Sequence, residues 1–243
     1  MKNRGGLIIL VILVIAGVFG WSVRLAGNDP RRAALRHREL ATRTLGQFIT
    51  ELHPGSPVLV ISNPFTKIAG RDPDTYRFDE AGIEGLRQGL PKDTPLRVST
   101  PSLRAGVLEN PQSAYVDPRT TTPLSYLVAE DSFDRLAAEH PDCSILVSLV
   151  GLPLHVEKSG LWKGSDRPPL ALLLPDWSIL GGRRQMLSAF ASGRIIAAVM
   201  PKPGAPPEIE SGSRDHADEF AARFLLITRE NVEQMVQDHP ELF

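Results

Sequence analysis

Ser62, Asn63, Thr66, Ser99, Thr100, Ser148 and Asp176 share one feature: each stands at, or just after, the end of a short apolar run. The runs close on "ISNP", "VSTP", "LVSLVGLP" and "LLLPD". A hydroxyl or a side-chain amide both donates and accepts hydrogen bonds, and a carboxylate accepts them. Brought together, these groups could hold a polar ligand. Asp176 beside a serine or asparagine could also move protons in a hydrolysis or a group transfer. Ser102, Arg104 and Lys202 lie in the same stretches and add donors and charge. Taken singly, residues of these types cap turns and strand ends, so they make a site only if the chain gathers those ends.

The chemistry that short motifs would announce is missing. The sequence has no G-x-S-x-G, G-x-x-x-x-G-K-[ST], G-x-G-x-x-G or H-E-x-x-H, so no nucleophile elbow, phosphate loop, dinucleotide loop or zinc helix is expected. No histidines have metal-ligand spacing; neither a metal nor a cofactor is expected. The single cysteine, Cys143, excludes an intramolecular disulfide and opens an apolar run, "CSILVSLVG", which predicts burial. His53, His140 and His239 each precede a proline at the end of a helical pattern, where they terminate helices. His155 and His216 remain in or beside loops. Asp79 reads as a helix N-cap beside Glu80, and Glu130, Asp131 and Asp134 as the start of another helix. Arg183 and Arg184 open a further helix and read as a solvated face, with an anion site as the alternative.

The elements that must position these residues follow from hydrophobic period. "GNDP" breaks the chain, with Asp29 placed to cap a helix and Pro30 at its first position. Leu45, Phe48, Ile49 and Leu52 then mark one apolar helical face that stops at "HPG". Strands are predicted over 57–62, 95–99, 143–149, 169–174, 194–200 and 224–228. Helices are predicted over 78–90, 124–140, 178–192, 215–223 and 229–238. Asp215 and Thr228 suit N-caps, and Gly193 a C-terminal cap. Nearly continuous apolar strands alternating with helices predict a Rossmann-like three-layer α/β domain, with a mostly parallel sheet of five or six strands. This alternation is similar to that of single-lobed Rossmann-like domains and of halves of periplasmic solute-binding proteins.

Connection lengths point to one edge of that sheet. Loops entering strands are short, about 53–56, 91–94 and 140–142; loops leaving them, 63–77, 100–123, 150–168 and 201–214, are long. Long loops in compact domains tend to be functional, and ligands of open α/β sheets bind outside the carboxyl ends of the strands. The seven polar residues above all fall there.

Gly5 to Val23 carries no charge over 19 residues, with Lys2 and Arg4 before it and Trp21 near its end. That length spans a bilayer, so residues 6–23 are expected to form an uncleaved transmembrane helix. The arginines that follow, Arg24, Arg31, Arg32, Arg36 and Arg38, compete with Lys2 and Arg4 in setting orientation, and a long following domain can cross regardless. The reading is an N-terminal anchor over 1–28, a linking amphipathic helix over 29–55, and an α/β domain over 56–243 placed outside the cytoplasm. A net charge of -1 excludes a global basic field for nucleic acid. The expected function is that of a membrane-anchored binding or accessory protein of the cell envelope. It would take a partner or small ligand at the strand-end loops, in an envelope or transporter assembly. The alternatives are a membrane-tethered hydrolase or transferase at the same edge, and a structural protein without a ligand.

Overall fold

The computed structural model describes residues 29–68, 73–110, 114–164, 166–207 and 215–243. Helix α1 runs from Pro30 to Leu52. The Asp29 carboxylate accepts from the Arg31 amide at 3.0 Å, so it caps the helix as its sequence predicts. Leu45 and Ile49 are fully buried, Phe48 packs against the same core, and only Leu52 stays largely in solvent.

Strand β1 (Val58–Ile61), helix α2 (Pro73–Gly89) and strand β2 (Leu96–Ser99) come next. Helices α3 (Leu124–Leu127) and α4 (Ser132–Glu139) lead to β3 (Ile145–Ser148). Helix α5 (Gly160–Lys163), β4 (Leu170–Leu173), α6 (Arg183–Ala191) and β5 (Ile195–Pro201) follow. The chain ends with α7 (His216–Arg223), β6 (Phe224–Thr228) and α8 (Val232–Asp238). The six strands form one sheet in the order β2-β1-β3-β4-β5-β6. The first five are parallel and β6 is antiparallel to β5. All four residues of β1, β3 and β4 are buried, as strands covered on both faces must be.

One face of the sheet buries Val58, Val60, Val147 and Ala171 against α1 and α2, with Phe220 of α7. The other buries Leu59, Ile61, Leu146 and Leu172 against Phe133 and Leu136 of α4, Phe190 of α6 and Val236 of α8. This is a three-layer α/β fold. Helices α1 and α2 lie unusually close. A Cβ built on Gly85 would meet the Thr42 Oγ1 at 2.1 Å and the Glu39 carbonyl at 2.2 Å; one on Gly89 would meet the Arg43 carbonyl at 2.2 Å. Gly82 faces Arg38 and Gly89 faces Gly46, so the two helices advance together and run parallel. Since α2 begins where β1 ends, both helices start at the carboxyl edge of the sheet.

Several expectations need correction. The helix expected over 78–90 starts at Pro73 with Asp74 in its first turn, so Asp79 is not an N-cap but a mid-helix residue. The helix expected over 124–140 is two, because Val128 leaves helical geometry and bridges to Leu103 of the loop after β2. That pairing, with the Ala129 amide donating to the Ser102 carbonyl at 2.9 Å, overrides the local helical preference. The helix expected over 178–192 begins as a 3-10 turn at Trp177–Leu180 and restarts after two left-handed glycines, Gly181 and Gly182. The last helix begins at Val232 rather than 229, and Thr228 is not its cap; Asn231 occupies that position. His53, His140 and His239 each occupy the C-cap of a helix, Asp215 caps α7, and Cys143 is buried, all as expected. No described helix is long and apolar enough to cross a membrane, and the expected span at 6–23 lies outside the described residues.

Candidate functional site

Where β1 stops, three polar groups meet a buried carboxylate. The Ser62 hydroxyl donates to Asp79, and the Asn63 amide N–H donates to the other oxygen of the same carboxylate at 3.1 Å. Asp79 and Ser62 are both buried. Burial pushes the Asp79 carboxyl above its ordinary value, opposed by those two hydrogen bonds and by the Arg38 guanidinium nearby. Burial in turn lowers Arg38 to about 10, opposed by the Asp79 charge. Arg38 reaches across α2 to donate to the Leu149 carbonyl at 3.2 Å and lies 4.4 Å from the centre of the Phe78 ring. Its Nε is buried without a hydrogen-bond partner. The close approach of α1 and α2 makes this possible, because a Cβ on Gly82 would come within 3.0 Å of that Nε.

Asp79 thereby fixes the backbone of Asn63, and Asn63 sits in the wall of a cavity of about 560 Å³. The cavity lies between the first turns of α1 and α2, with Phe78 and Leu35 on its apolar side and Arg31, Arg32 and Arg77 on its polar side. The Asn63 side-chain oxygen accepts from the Phe65 amide at 2.9 Å, and Thr66 donates to the Asn63 carbonyl at 2.8 Å. The turn after β1 is therefore held at both ends. Pockets of a few hundred cubic ångströms suit small ligands.

The other expected site residues fall into separate places along the same edge. Thr100 lines a second hollow of about 380 Å³ with Pro64, Ile68 and Arg104, between the loops leaving β1 and β2. Ser148 donates to the Gly151 carbonyl at 2.5 Å and accepts from the Val150 amide, which is a strand-end cap. Asp176 caps the turn after β4, accepting from the amide and hydroxyl of Ser178, and takes a further hydrogen bond from Thr120. Thr120 belongs to the loop leaving β2, so Asp176 pins that loop across β1 and β3. Tyr126 lies near Asp176 and Asp117, and burial followed by those two charges raises its phenol above the ordinary value. Arg183 and Arg184 are exposed, and Arg184 borders a hollow of about 270 Å³ with Glu157 and Arg194.

Ser99 meets a partner that sequence reasoning assigned only to helix termination. Its hydroxyl is 2.9 Å from the His140 Nε2. A serine–histidine contact is half of a nucleophile-activating pair. The other half is missing: among the described residues, no carboxylate bonds the second ring nitrogen. Asp142 is engaged by Arg97 at 2.6 Å instead. Asp176 has neither a histidine nor Ser99 among its hydrogen-bond partners. The arrangement at the edge can bind and orient; among the described residues, no acid, base and nucleophile meet around one point. Arg38 and Asp79 were the residues missed. The signal that could have found them is Gly82-x-x-Gly85-x-x-x-Gly89, which marks a helix face that admits another backbone.

No family model matches the sequence, and no curated protein matches it. Solved structures do match in part. GanP, a glucose-galactose binding protein from Geobacillus stearothermophilus, matches at 10% identity with a TM-score of 0.43, over 80% of this chain and 61% of its own. A solute-binding protein of an ABC transporter from Burkholderia graminis C4D1M, in complex with D-arabinose, matches at 12% identity with a TM-score of 0.44, over 80% and 60%. A sugar-binding protein of a Bacillus halodurans sugar ABC transporter matches at 12% identity with a TM-score of 0.41, over 81% and 64%. The chain thus spans about three fifths of the length of these structures. At such distance the likeness defines no ligand.

Proposed function

We propose that this chain is a membrane-anchored α/β binding protein of the cell envelope, holding a small ligand or a partner at the carboxyl edge of its sheet. One observation carries the reading: a ligand-sized cavity opens at that edge, and a buried carboxylate fixes the backbone of the asparagine in its wall. Preorganised backbone and a few placed polar groups are what a binding site needs. Residues 6–23 anchor the chain, and the domain faces away from the cytoplasm. Asn63 stands in the wall, and Ser62 and Thr66 hold the turn that presents it. Ser99, Thr100, Ser148 and Asp176 shape the neighbouring loops.

The test is native mass spectrometry on the full chain in detergent, wild type against Asn63→Ala. A bound species that survives in the wild type and disappears in the variant, with thermal unfolding within a few degrees, supports the reading. The same bound species in both proteins, or none in either, overturns it. A carbonate wash tests the anchor: the chain should stay with the membranes, and its release would refute the span.

A further inference from the structure

We infer that the cavity between α1 and α2 takes the phosphate-bearing headgroup of an anionic lipid, in the same membrane that anchors the chain. The inference rests on the proposed anchor and adds the ligand to it. Three observations meet at this place.

The first is reach. The uncharged run ends at Val23, and Asp29, a residue of the cavity rim, follows after only five intervening residues. A chain extends at most about 3.3–3.6 Å per residue, so a link of that length can reach no further than roughly 20 Å. The rim therefore stays within about two helix diameters of the bilayer surface. A headgroup layer is present at high local concentration there, whereas a ligand arriving from bulk must compete with it.

The second is charge. Arg31, Arg32 and Arg77 border the cavity with side chains 79%, 73% and 69% exposed. Asp74 approaches Arg31 at 3.0 Å and Arg77 at 3.7 Å, and Asp29 approaches Arg32 at 3.8 Å. Just beyond the rim, Arg36 faces Glu219 of α7 at 3.4 Å. Among the described residues of the lining, three guanidinium groups stand against two carboxylates, an excess of one positive charge. Guanidinium forks match phosphate oxygens in geometry, and exposed ion pairs of this kind are weak enough to exchange partners.

The third is the placement of the arginines. α1 has no acidic residue in its first turn and carries Arg31 and Arg32 there. Cations at that end of a helix oppose its dipole. Within α1 itself they gain nothing; what they meet are the rim carboxylates Asp74 and Asp29, and a local rule broken inside the helix points to the cavity those groups border. The apolar wall of Phe78 and Leu35 suits the glycerol and upper acyl carbons beneath a headgroup.

The experiment places the full chain in nanodiscs and follows amide hydrogen exchange over residues 30–38 and 74–80. One set holds phosphatidylcholine alone, a second adds phosphatidylglycerol, and a third is neutral with inorganic phosphate in the buffer. Exchange at those two segments should slow about fivefold in the anionic discs, as one net positive charge near an anionic surface implies. High salt should abolish the slowing. The triple variant Arg31→Gln, Arg32→Gln, Arg77→Gln should not show it, while exchange in β1 and β3 stays at wild-type level as proof of folding. Equal exchange in neutral and anionic discs overturns the headgroup inference and leaves the anchor standing. Equal slowing by inorganic phosphate in neutral discs overturns the lipid as the source. Failure of the chain to enter discs at all refutes the anchor, and the inference with it.

Discussion

Asp79 and Asp176 both sit at the carboxyl edge of one sheet, and they do opposite kinds of work. Asp176 is a half-exposed cap whose partners, Ser178 and Thr120, lie in the turn it starts and in a neighbouring loop. Each of those groups could turn to water if the carboxylate were removed. Asp79 is sealed between β1 and two helices; Ser62 and Asn63 donate to it, and Arg38, which donates to the Leu149 carbonyl, is its neighbouring charge. The first carboxylate trims a surface. The second sets the shape of a cavity wall. The difference arises from the glycines that let α1 and α2 close over Asp79, while the loops around Asp176 remain open.

The largest effect should come from prising those helices apart. Gly85→Ala puts a methyl 2.2 Å from the Glu39 carbonyl, which is backbone and cannot swing away. Overpacking against backbone costs several kcal/mol, more than about 4 kcal/mol in the severe cases. Chemical denaturation should show a domain that is unfolded or nearly so. A variant as stable as wild type would mean the helices are free to separate, and the contrast between the two carboxylates would lose its cause.

Next in size is the contrast itself. Asp79→Ala leaves a buried hydroxyl and an amide without their acceptor and a guanidinium without its neighbouring charge, a loss of about 3–5 kcal/mol. Asp176→Ala removes a cap, worth about 1–2 kcal/mol. For a domain of this size each kcal/mol shifts Tm by about 2–4 °C, so the two variants should separate by several degrees in a thermal scan. Equal losses would erase the distinction.

The fold was legible in the sequence where one signal dominated. The apolar runs of β1, β3 and β4 have no competing reading, and each lies within its expected range. The Asp29-Pro30 start of α1 and the three histidine-proline stops are local chemistry, and local chemistry is readable. Asp79 was misread because Asp and Glu fit a helix start as well as a helix middle, and only the packing of α1 on α2 decides between them. The break at Val128 depends on a bridge to Leu103, a contact that no window of sequence contains. Ser62 and Asn63 were singled out from their position alone; their partner, 16 to 17 residues further along, was not. The antiparallel return of β6 left no trace in its apolar content.

A pH series sharpens the comparison more gently. The folded-state value of Asp79 lies above its unfolded one. The folded protein therefore holds a proton that the unfolded chain releases, and stability must fall as pH rises from near 4 to the raised value. Above that value the penalty is constant. Asp79→Asn keeps an oxygen that accepts from the Asn63 amide, and its NH2 can donate to the Ser62 hydroxyl turned round, so it should flatten this slope without collapsing the fold. Tm measured across that range for wild type and Asp79→Asn decides it, and parallel curves would show that Asp79 contributes nothing to the slope.

The smallest effect concerns the arginines at the start of α1, where stability and the proposed lipid contact pull in opposite directions. Among the described residues Arg32 has one weak ion pair, with Asp29 at 3.8 Å, and its charge opposes the helix dipole. Removing such a cation relieves about 0.3–1 kcal/mol, and losing an exposed pair returns a similar or smaller amount. Arg32→Gln should therefore leave Tm unchanged or raise it by a degree or two. The same substitution should weaken protection of residues 30–38 in anionic discs, because it takes away the charge that makes the cavity net positive. Native folds often give up a little stability to keep such a group. A clear drop in Tm for Arg32→Gln would instead make Arg32 a structural residue, and would remove the physical reason for seeking an anion at the amino ends of α1 and α2.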